Sequence, residues 1–488
     1  MGINYPEYTD YQILQKSLDA RGAPRGKEPV YHYTVLLDKD ERQKEVFKHI
    51  ETNARPIIIG AGPGGLFAAL RLSEYGIKST IIERGDRAQD RMKAISKYWR
   101  KGILDEDNNV CYGEGGAGLF SDGKLITRIK SDFVQYVMDL FVKFGAPEET
   151  AYLSNPHLGS NKIRQIISKI TDYLKSHGHE VLYNTRVDEL IYDDNKVVGV
   201  CLNTGEKLYS DYIILATGHS AKEMYHHLYE NKVELRSKGF AVGCRIEHPR
   251  EKIDQIQHGK FYKSEYLGAA KYKLNFYNKE TAKGTYSFCM CPGGYVLSSG
   301  TDKDGIVVNG MSNYARNSRW SNSALVVSIE NQENVFGGLR IQEQIEKKAF
   351  QLSMKESDGR SLPAMLVKEF MSGKISDQNL PKTSSPSGIF KTDITQIFPN
   401  DIVEHLRNAL VEFDKKMPGF IEEDAVLIAP ETRTSAPITI VRDKKSLESV
   451  SHQGLYPCAE GAGYAGGITS AAVDGIKIVE SIIKKIVS

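Results

Sequence analysis

The sequence predicts an α/β fold in which a parallel, helix-flanked sheet is split by a long insertion rich in short strands. Three observations predict it. A strand–turn–helix–strand unit runs from Arg55 to Glu83, a glycine-rich turn opens a helix near the C-terminus, and between them the patterning from about Gly239 becomes that of a separate β-rich segment.

In the first unit, Ile57, Ile58 and Ile59 form an apolar run too short for a helix and suited to a buried parallel strand. Gly60, Gly62 and Gly65 then make G-x-G-x-x-G. The first glycine permits the tight turn, the second lets a pyrophosphate approach the backbone, and the third brings helix and strand together. Leu66, Ala69, Leu70 and Leu72 have helical spacing, Gly76 is a helix stop, and Ser79 to Ile82 form a second strand ending in Glu83. An acid there can accept the ribose hydroxyls of an adenine nucleotide. Taken alone, the unit suits NAD or FAD equally.

Bulk properties exclude other classes. The 488 residues suffice for two or three domains, and the net charge of +2 carries no long one-sign run. Neither nucleic acid nor an anionic membrane is therefore an expected partner. No apolar run approaches the ~18 residues of a spanning helix, and MGINYPEYTD is polar and acidic, unlike a secretory or transit peptide. The 6 cysteines are scattered apart from Cys289 and Cys291, without zinc or iron–sulfur spacing. No metal is expected, and a reducing cytoplasm is the expected location.

In chain order, Tyr31–Leu37 has strand composition and Glu41–Ile50 reads as a short amphipathic helix. After Glu83, Arg84 and Arg91 are placed to contact adenine or phosphate, or equally to face solvent. Asn109 to Arg128 repeats the glycine pattern at Gly113, Gly115 and Gly118, but Ser121, Asp122 and Gly123 follow where a helix would be needed. We read it as a loop whose backbone, around Gly116 and Ala117, approaches a flat or charged ligand. Asp132–Phe144 and Lys162–His177 are amphipathic helices, and His157 in the Pro/Gly-ordered loop between them is a candidate for proton transfer. Glu180–Asn184, Asp188–Tyr192, Val197–Leu202 and Lys207–Tyr209 read as short antiparallel strands. The apolar strand within Asp211–Gly218 ends in small residues, Thr217 and Gly218, as a ligand crevice requires.

In the insertion, Gln342–Met354 and Ile402–Phe413 are helical, and Pro381–Gly388 (PKTSSPSG) reads as a surface loop or hinge. The last stretch returns to nucleotide chemistry. Glu460 and Gly461 precede Gly463, Gly466 and Gly467, and Ile468 opens a helix whose bare N-terminus suits an anion or polar ring.

These motifs together carry a resemblance. Arg55–Glu83, the ATG strand end and AEGAGYAGG before a helix resemble the FAD-binding architecture of the glutathione-reductase-like flavoproteins. GEGGAGLFSDGKL, LATGHSA, FCMCPGGYV, ETRTSAP and PCAEGAGYAGGITSAAVDG resemble, more closely, a prokaryotic family of FAD-dependent dehydrogenases, from about Val30 to the C-terminus. The resemblance implies a Rossmann-type FAD-binding domain with a β-rich mixed α+β substrate domain inserted. It also implies that Gly60, Gly62, Gly64 and Gly65 cradle the pyrophosphate, that Glu83 holds the adenosine ribose and that backbone near Val187 meets the adenine. Glu460, Gly461, Gly466, Gly467 and Ile468 would hold the ribityl chain and the pyrimidine edge of the ring. Ala459 stands where many flavoproteins have glycine, a change tolerated if φ there is negative.

The expected organisation is an N-terminal segment (1–54) packing on the FAD domain, FAD-binding parts at 55–236 and 441–488, and a substrate domain at 237–440. The expected activity is hydride transfer between flavin and a small organic substrate, with NADH or NADPH as a transient donor. Arg433 is the substrate-facing candidate, its guanidinium suited to a carboxylate, or else it braces a loop with Glu431. Cys289 and Cys291 share a face if the strand alternates regularly, so Cys291 is a further candidate near the flavin. The alternatives are a flavin monooxygenase, although its usual GADG segment is absent from the sequence, and a flavin-bearing redox sensor.

Overall fold

The computed structural model describes residues 11–37 and 47–488. The N-terminal segment forms an antiparallel ribbon, β1 (Tyr11–Asp19) with β2 (Val30–Leu37). It docks through Lys16, whose N–H donates to the Tyr152 carbonyl at 2.8 Å and whose carbonyl accepts from Ser154 N at 2.9 Å. The helix expected over Glu41–Ile50 falls largely on residues 41–46, outside the described residues.

The nucleotide half follows in order: β3 (Ile57–Ile59), α1 (Pro63–Glu74), β4 (Thr80–Ile82), α2 (Arg91–Lys101), α3 (Phe133–Lys143), α4 (Gly159–Ser176) and β5 (Glu180–Leu182). Next come β6 (Val187–Asp193), β7 (Lys196–Leu202), β8 (Lys207–Tyr209), β9 (Ile213–Leu215), α5 (Lys222–Glu230) and β10 (Leu235–Ser237). Each isoleucine of β3 is buried because α1 and α4 cover one face of this sheet, while β6 and β7 (Val187, Leu190, Val197, Val200) together with α5 cover the other. The Glu180 segment departs from expectation. It is not antiparallel with β6 but forms the parallel edge beside β4, since α4 is long enough to carry the chain back across the sheet. β6, β7 and β8 form the expected antiparallel layer.

The insertion contains β11 (Phe240–Pro249), α6 (Arg250–His258), β12 (Asn275–Asn278), β13 (Lys283–Cys291), β14 (Gly294–Ser298), β15 (Val308–Ser312), β16 (Trp320–Ile329) and α7 (Gly337–Glu356). It continues through β17 (Leu362–Leu366), α8 (Val367–Ser372), β18 (Ile389–Lys391), α9 (Asn400–Lys416), β19 (Val426–Glu431) and β20 (Ile438–Ile440). Its main sheet has the order β12-β13-β16-β11-β19-β17-β18, mixed because only β17 and β18 are parallel. α7 and α9 pack on it over a separate apolar core. The PKTSSPSG segment is not a free hinge. Buried Glu247 accepts from the Thr383 hydroxyl at 2.9 Å, the Ser384 N–H at 3.1 Å and the Ser384 hydroxyl.

β21 (Leu455–Pro457) and α10 (Ile468–Val487) complete the nucleotide half, giving the parallel order β21-β9-β3-β4-β5. β10 pairs with β20, Leu235 opposite Ile440, so the two ends of the insertion meet in one ladder. Two glycines set the spacing of this half. A Cβ on Gly65 would lie 2.0 Å from the Gly60 carbonyl oxygen, and one on Gly475 of α10 would lie 2.1 Å from that of Gly64. α10 therefore lies against the start of α1 with no room for a methyl group. Gly475→Ala should cost about 1–3 kcal/mol, whereas Gly284→Ala, with only the Ser328 hydroxyl at 3.8 Å, should cost much less; denaturant unfolding of the two variants checks this.

Candidate functional site

A single long cavity runs from the glycine turn of α1 to the inner face of the inserted sheet. At its first end Gly60, Gly62 and Gly64 line the wall, and nothing stands within 4 Å of where a Gly62 Cβ would be. Gly65 does not line the cavity; its role is the helix–strand contact described above. Glu83 lines it while its carboxylate gathers three backbone donors. Oε2 accepts from Ala61 N at 2.9 Å, and Oε1 from Gly85 N at 3.0 Å and Gly113 N at 2.9 Å. Both glycine-rich loops are thus tied to one acid, and Oε2 keeps a lone pair for a hydroxyl.

Arg84 lines the cavity stacked on Tyr112, 4.0 Å from the ring centre, with its guanidinium bound to Asp107 and Glu223. Arg91 is a correction to the sequence expectation. It is fully buried beneath the loop and donates to the carbonyls of Glu114, Gly116, Asn109 and Val110 at 2.8–3.0 Å. It shapes the loop and does not reach the cavity. That loop presents Gly116 and Ala117 to the cavity, opposite Val187, Thr217 and Gly218. Gly461 stays behind the wall, where a Cβ would meet the Gly218 carbonyl oxygen at 2.6 Å.

Glu460, Gly466, Gly467 and Ile468 line the middle of the cavity at the start of α10. The Glu460 side chain accepts no hydrogen bond from the described residues, and burial pushes its pKa up to about 7. A half-buried carboxylate that faces the cavity without a protein donor is open to a ligand hydroxyl. The condition set for Ala459 is not met, because its φ is +60°. Its N–H donates to Asp474 at 2.8 Å, and this bond and the close backbone packing hold an alanine in a conformation that favours glycine.

At the far end the cavity is bounded by Ser121, Asp122, Lys124, Ile126, Phe288, Cys289, Cys291, Asn309, Gly310, Glu431, Arg433 and Thr434. Arg433 is not free to bind a carboxylate. Nε donates to Glu346 at 3.1 Å, one terminal nitrogen to Ser220 at 3.2 Å and Thr301 at 2.5 Å, the other to Asp302 at 2.9 Å and Glu346 at 2.8 Å. All five guanidinium N–H donors are accounted for. Glu431 is not its partner either; it forms a two-pronged buried pair with Arg245, both contacts 2.7 Å.

The cysteines correct the alternation argument. A bulge between Phe288 and Cys291 breaks the period of two, Cys289 takes φ +41°, and Met290 points into the core. Cys289 exposes its side chain to the cavity, not to bulk water, and burial pushes its thiol up; that of Cys291 is pushed up to about 12, and its Sγ turns onto the Cys289 carbonyl. Neither is a ready thiolate. His157 lies outside the cavity, stacked on Tyr314 and bonded to its carbonyl at 3.0 Å, with burial and the Arg316 charge lowering it to about 4.

Sequence reasoning missed His219, a cavity-lining imidazole kept neutral by burial and by Arg433 (pKa about 3), and Lys124 at the far end. Both stood inside motifs already singled out, LATGHSA and FSDGKL, where only the small residues had drawn notice.

The open space beside Gly62, the unpartnered carboxylate of Glu460 and the N-terminus of α10 fit a dinucleotide with a polyhydroxyl chain. Comparison with known proteins agrees. Residues 53–97 match a model described as FAD binding domain, residues 239–434 one described as FAD-dependent protein, C-terminal domain-like, and residues 161–249 one described as glucose inhibited division protein A. An uncharacterized protein of Clostridium beijerinckii is 40% identical over 442 residues, 89% of this chain and 82% of that protein. The chain belongs to that protein's family.

The family is FAD-dependent and of oxidoreductase type, and FAD is the cofactor. A thiamine thiazole synthase of Aeropyrum pernix is 25% identical over 190 residues, 36% of this chain and 57% of that protein. Among solved structures, the flavin-dependent brominase Bmp2 has a TM-score of 0.39 at 12% identity, covering 90% of this chain and 80% of its own. Glycine oxidase from Bacillus cereus has a TM-score of 0.31 at 11% identity, covering 89% and 96%. Among the described residues no helix is long and apolar enough to cross a membrane.

Two outcomes follow for the family member described here. In FAD-free protein Glu460 holds a proton that the unfolded chain releases near its ordinary 4.5. That contribution to stability is complete below about pH 4.5 and is lost as pH rises through 7. Glu460→Gln should therefore stabilise the FAD-free protein at pH 8 by on the order of 2–3 kcal/mol and converge with the parent at pH 4, read by thermal unfolding. Arg433→Met should destabilise the protein by about 3–5 kcal/mol, since it leaves Glu346 buried without its cation. Unchanged stability with only a raised KM would return Arg433 to substrate binding.

Proposed function

We propose that the protein passes a hydride between FAD and a small organic substrate that enters the far end of the cavity. The observation that carries this reading is the continuity of one cavity from the α1 glycine turn, past Glu460, to the wall formed by Phe288, Cys289 and Asn309. A cofactor held from the glycine turn to the start of α10 would leave the far end for a reactant. When bound, FAD supplies the hydride-accepting ring chemistry. The chain supplies the rest. Gly60, Gly62 and Gly64 give backbone room for the pyrophosphate, Glu83 an acceptor for the ribose, and Glu460 an acceptor for the ribityl chain. Gly466 and Ile468 present N–H groups and the α10 dipole to the polar edge of the ring, the Gly467 N–H being donated to the Ser470 hydroxyl.

Around the reacting end, Arg433 and Arg245 are saturated by carboxylates, hydroxyls, amide oxygens and a carbonyl, and hold the loops at Thr301–Asp302 and Cys289 in place. His219, kept neutral by burial and the Arg433 charge, offers a reactant a hydrogen-bond donor and acceptor. Apolar Phe288 and Ile126 limit water at the same place. NADH and NADPH are the proposed donors, reaching the same cavity transiently.

Anaerobic mixing of the holoprotein with NADH, NADPH and a panel of hydroxy and amino acids tests the proposal. At least one should bleach the visible flavin absorbance on the seconds scale. A flavin reduced by none of them would sink the enzymatic reading in favour of a redox sensor.

A further inference from the structure

The far end of the cavity has an unbalanced charge. Each carboxylate there is already matched. Asp122 pairs with Arg316 through two contacts, Glu431 with Arg245, Glu346 with Arg433, and Asp302 with Lys222 as well as Arg433. Lys124 lines the same wall, and no carboxylate among the described residues lies within ion-pair distance of it. Its ammonium donates to the Met290 carbonyl, which anchors the side chain across the end of β13. An ammonium has three N–H donors, so two remain.

Lys271, behind the cavity lining, adds a second unpaired cation. It has no ion pair among the described residues, and its ammonium senses Lys124, Arg316 and Asp122. Although the residue as a whole is exposed, burial around the ammonium and the Arg316 charge push it down to about 8, leaving it mostly charged at neutral pH. Cys289, beside Lys124, offers neither anion nor strong acceptor while its thiol is protonated. A local excess of positive charge in a walled cavity concentrates anions. A lysine held by one hydrogen bond, with two donors left over, is a point-charge anchor for one oxyanion.

We infer that Lys124 is the binding residue for an anionic substrate group, a carboxylate or phosphoryl, and that the substrate class is therefore small organic anions. This rests on the oxidoreductase reading above for the word substrate, though anion binding itself does not. The role first given by sequence to Arg433 passes to a lysine whose donors are not consumed by the protein.

The test uses FAD-loaded protein at constant ionic strength, titrated with acetate, with inorganic phosphate and with neutral acetamide, and followed by the flavin difference spectrum. Acetate or phosphate should give a saturable change that acetamide does not, and whichever binds more tightly identifies the carboxylate or phosphoryl preference. Lys124→Gln should weaken that binding at least tenfold, Lys124→Arg should keep it within about threefold, and Lys271→Gln should weaken it by a smaller factor than Lys124→Gln. Equal binding of acetamide, no response to either anion, or an unchanged affinity in Lys124→Gln would overturn the inference. If Lys124→Gln fails to retain FAD, the parent's acetamide comparison and the Lys271→Gln titration still decide it. Flavin reduction by a donor with no anion response sinks only the anion site. An anion response with no reduction by any donor sinks only the oxidoreductase reading.

Discussion

The carboxylate of Glu83 sits at the crossing of three backbone segments, and the cavity depends on it. One oxygen holds the turn before α1, and the other holds both the segment after β4 and the glycine loop at Gly113. Three N–H donors on one buried acid replace the water it gave up on folding. Directly beneath, Arg91 gathers four carbonyls of the same loop and adds the compensating charge; burial lowers it to about 10, still far above neutral pH, so it remains a cation. The loop between Asn109 and Gly116 has neither helix nor sheet to order it. Its conformation is set by this acid–base pair of buried side chains.

The inserted half uses the same device twice more. Arg245 spans β11, β13, β15, β16 and β19 through Glu431, Asn322, Asn309 and the Cys289 carbonyl. Arg433 joins α7 to the Thr301 loop and to Ser220, which follows the strand end of the nucleotide half. The second of these crosses between the two halves. A satisfied arginine of this kind is a rigid strut, and it leaves the far wall of the cavity electrically quiet except where Lys124 has no carboxylate partner.

Much of the nucleotide half was legible in the sequence because its constraints are local. The spacing of Gly60, Gly62 and Gly65, the isoleucine run and the acid at the end of the next strand are set by a turn, a pyrophosphate approach and a strand length, all within about thirty residues. Glu460 was legible for the same reason, since it stands directly before a glycine-opened helix. The misreadings fall where partners are distant. Arg91 follows the ribose-binding acid closely enough to suggest a phosphate contact, yet its bonds go to carbonyls about twenty residues on. The Cys289–Cys291 spacing implied one face, but the bulge that breaks it arises from pairing with β16 more than thirty residues later.

What the sequence by itself determined is a bipartite dinucleotide site, its first half at Gly60–Glu83 and its second at Glu460–Ile468, because backbone geometry and glycine placement are local properties. Only the tertiary structure decided which charges stay free. Glu346, Asp302 and Ser220 are distant in sequence from Arg433, and their convergence exhausts its donors. Met290 leaves Lys124 two to spare. A side chain's availability depends on every neighbour it meets in space, and no pattern along the chain records that.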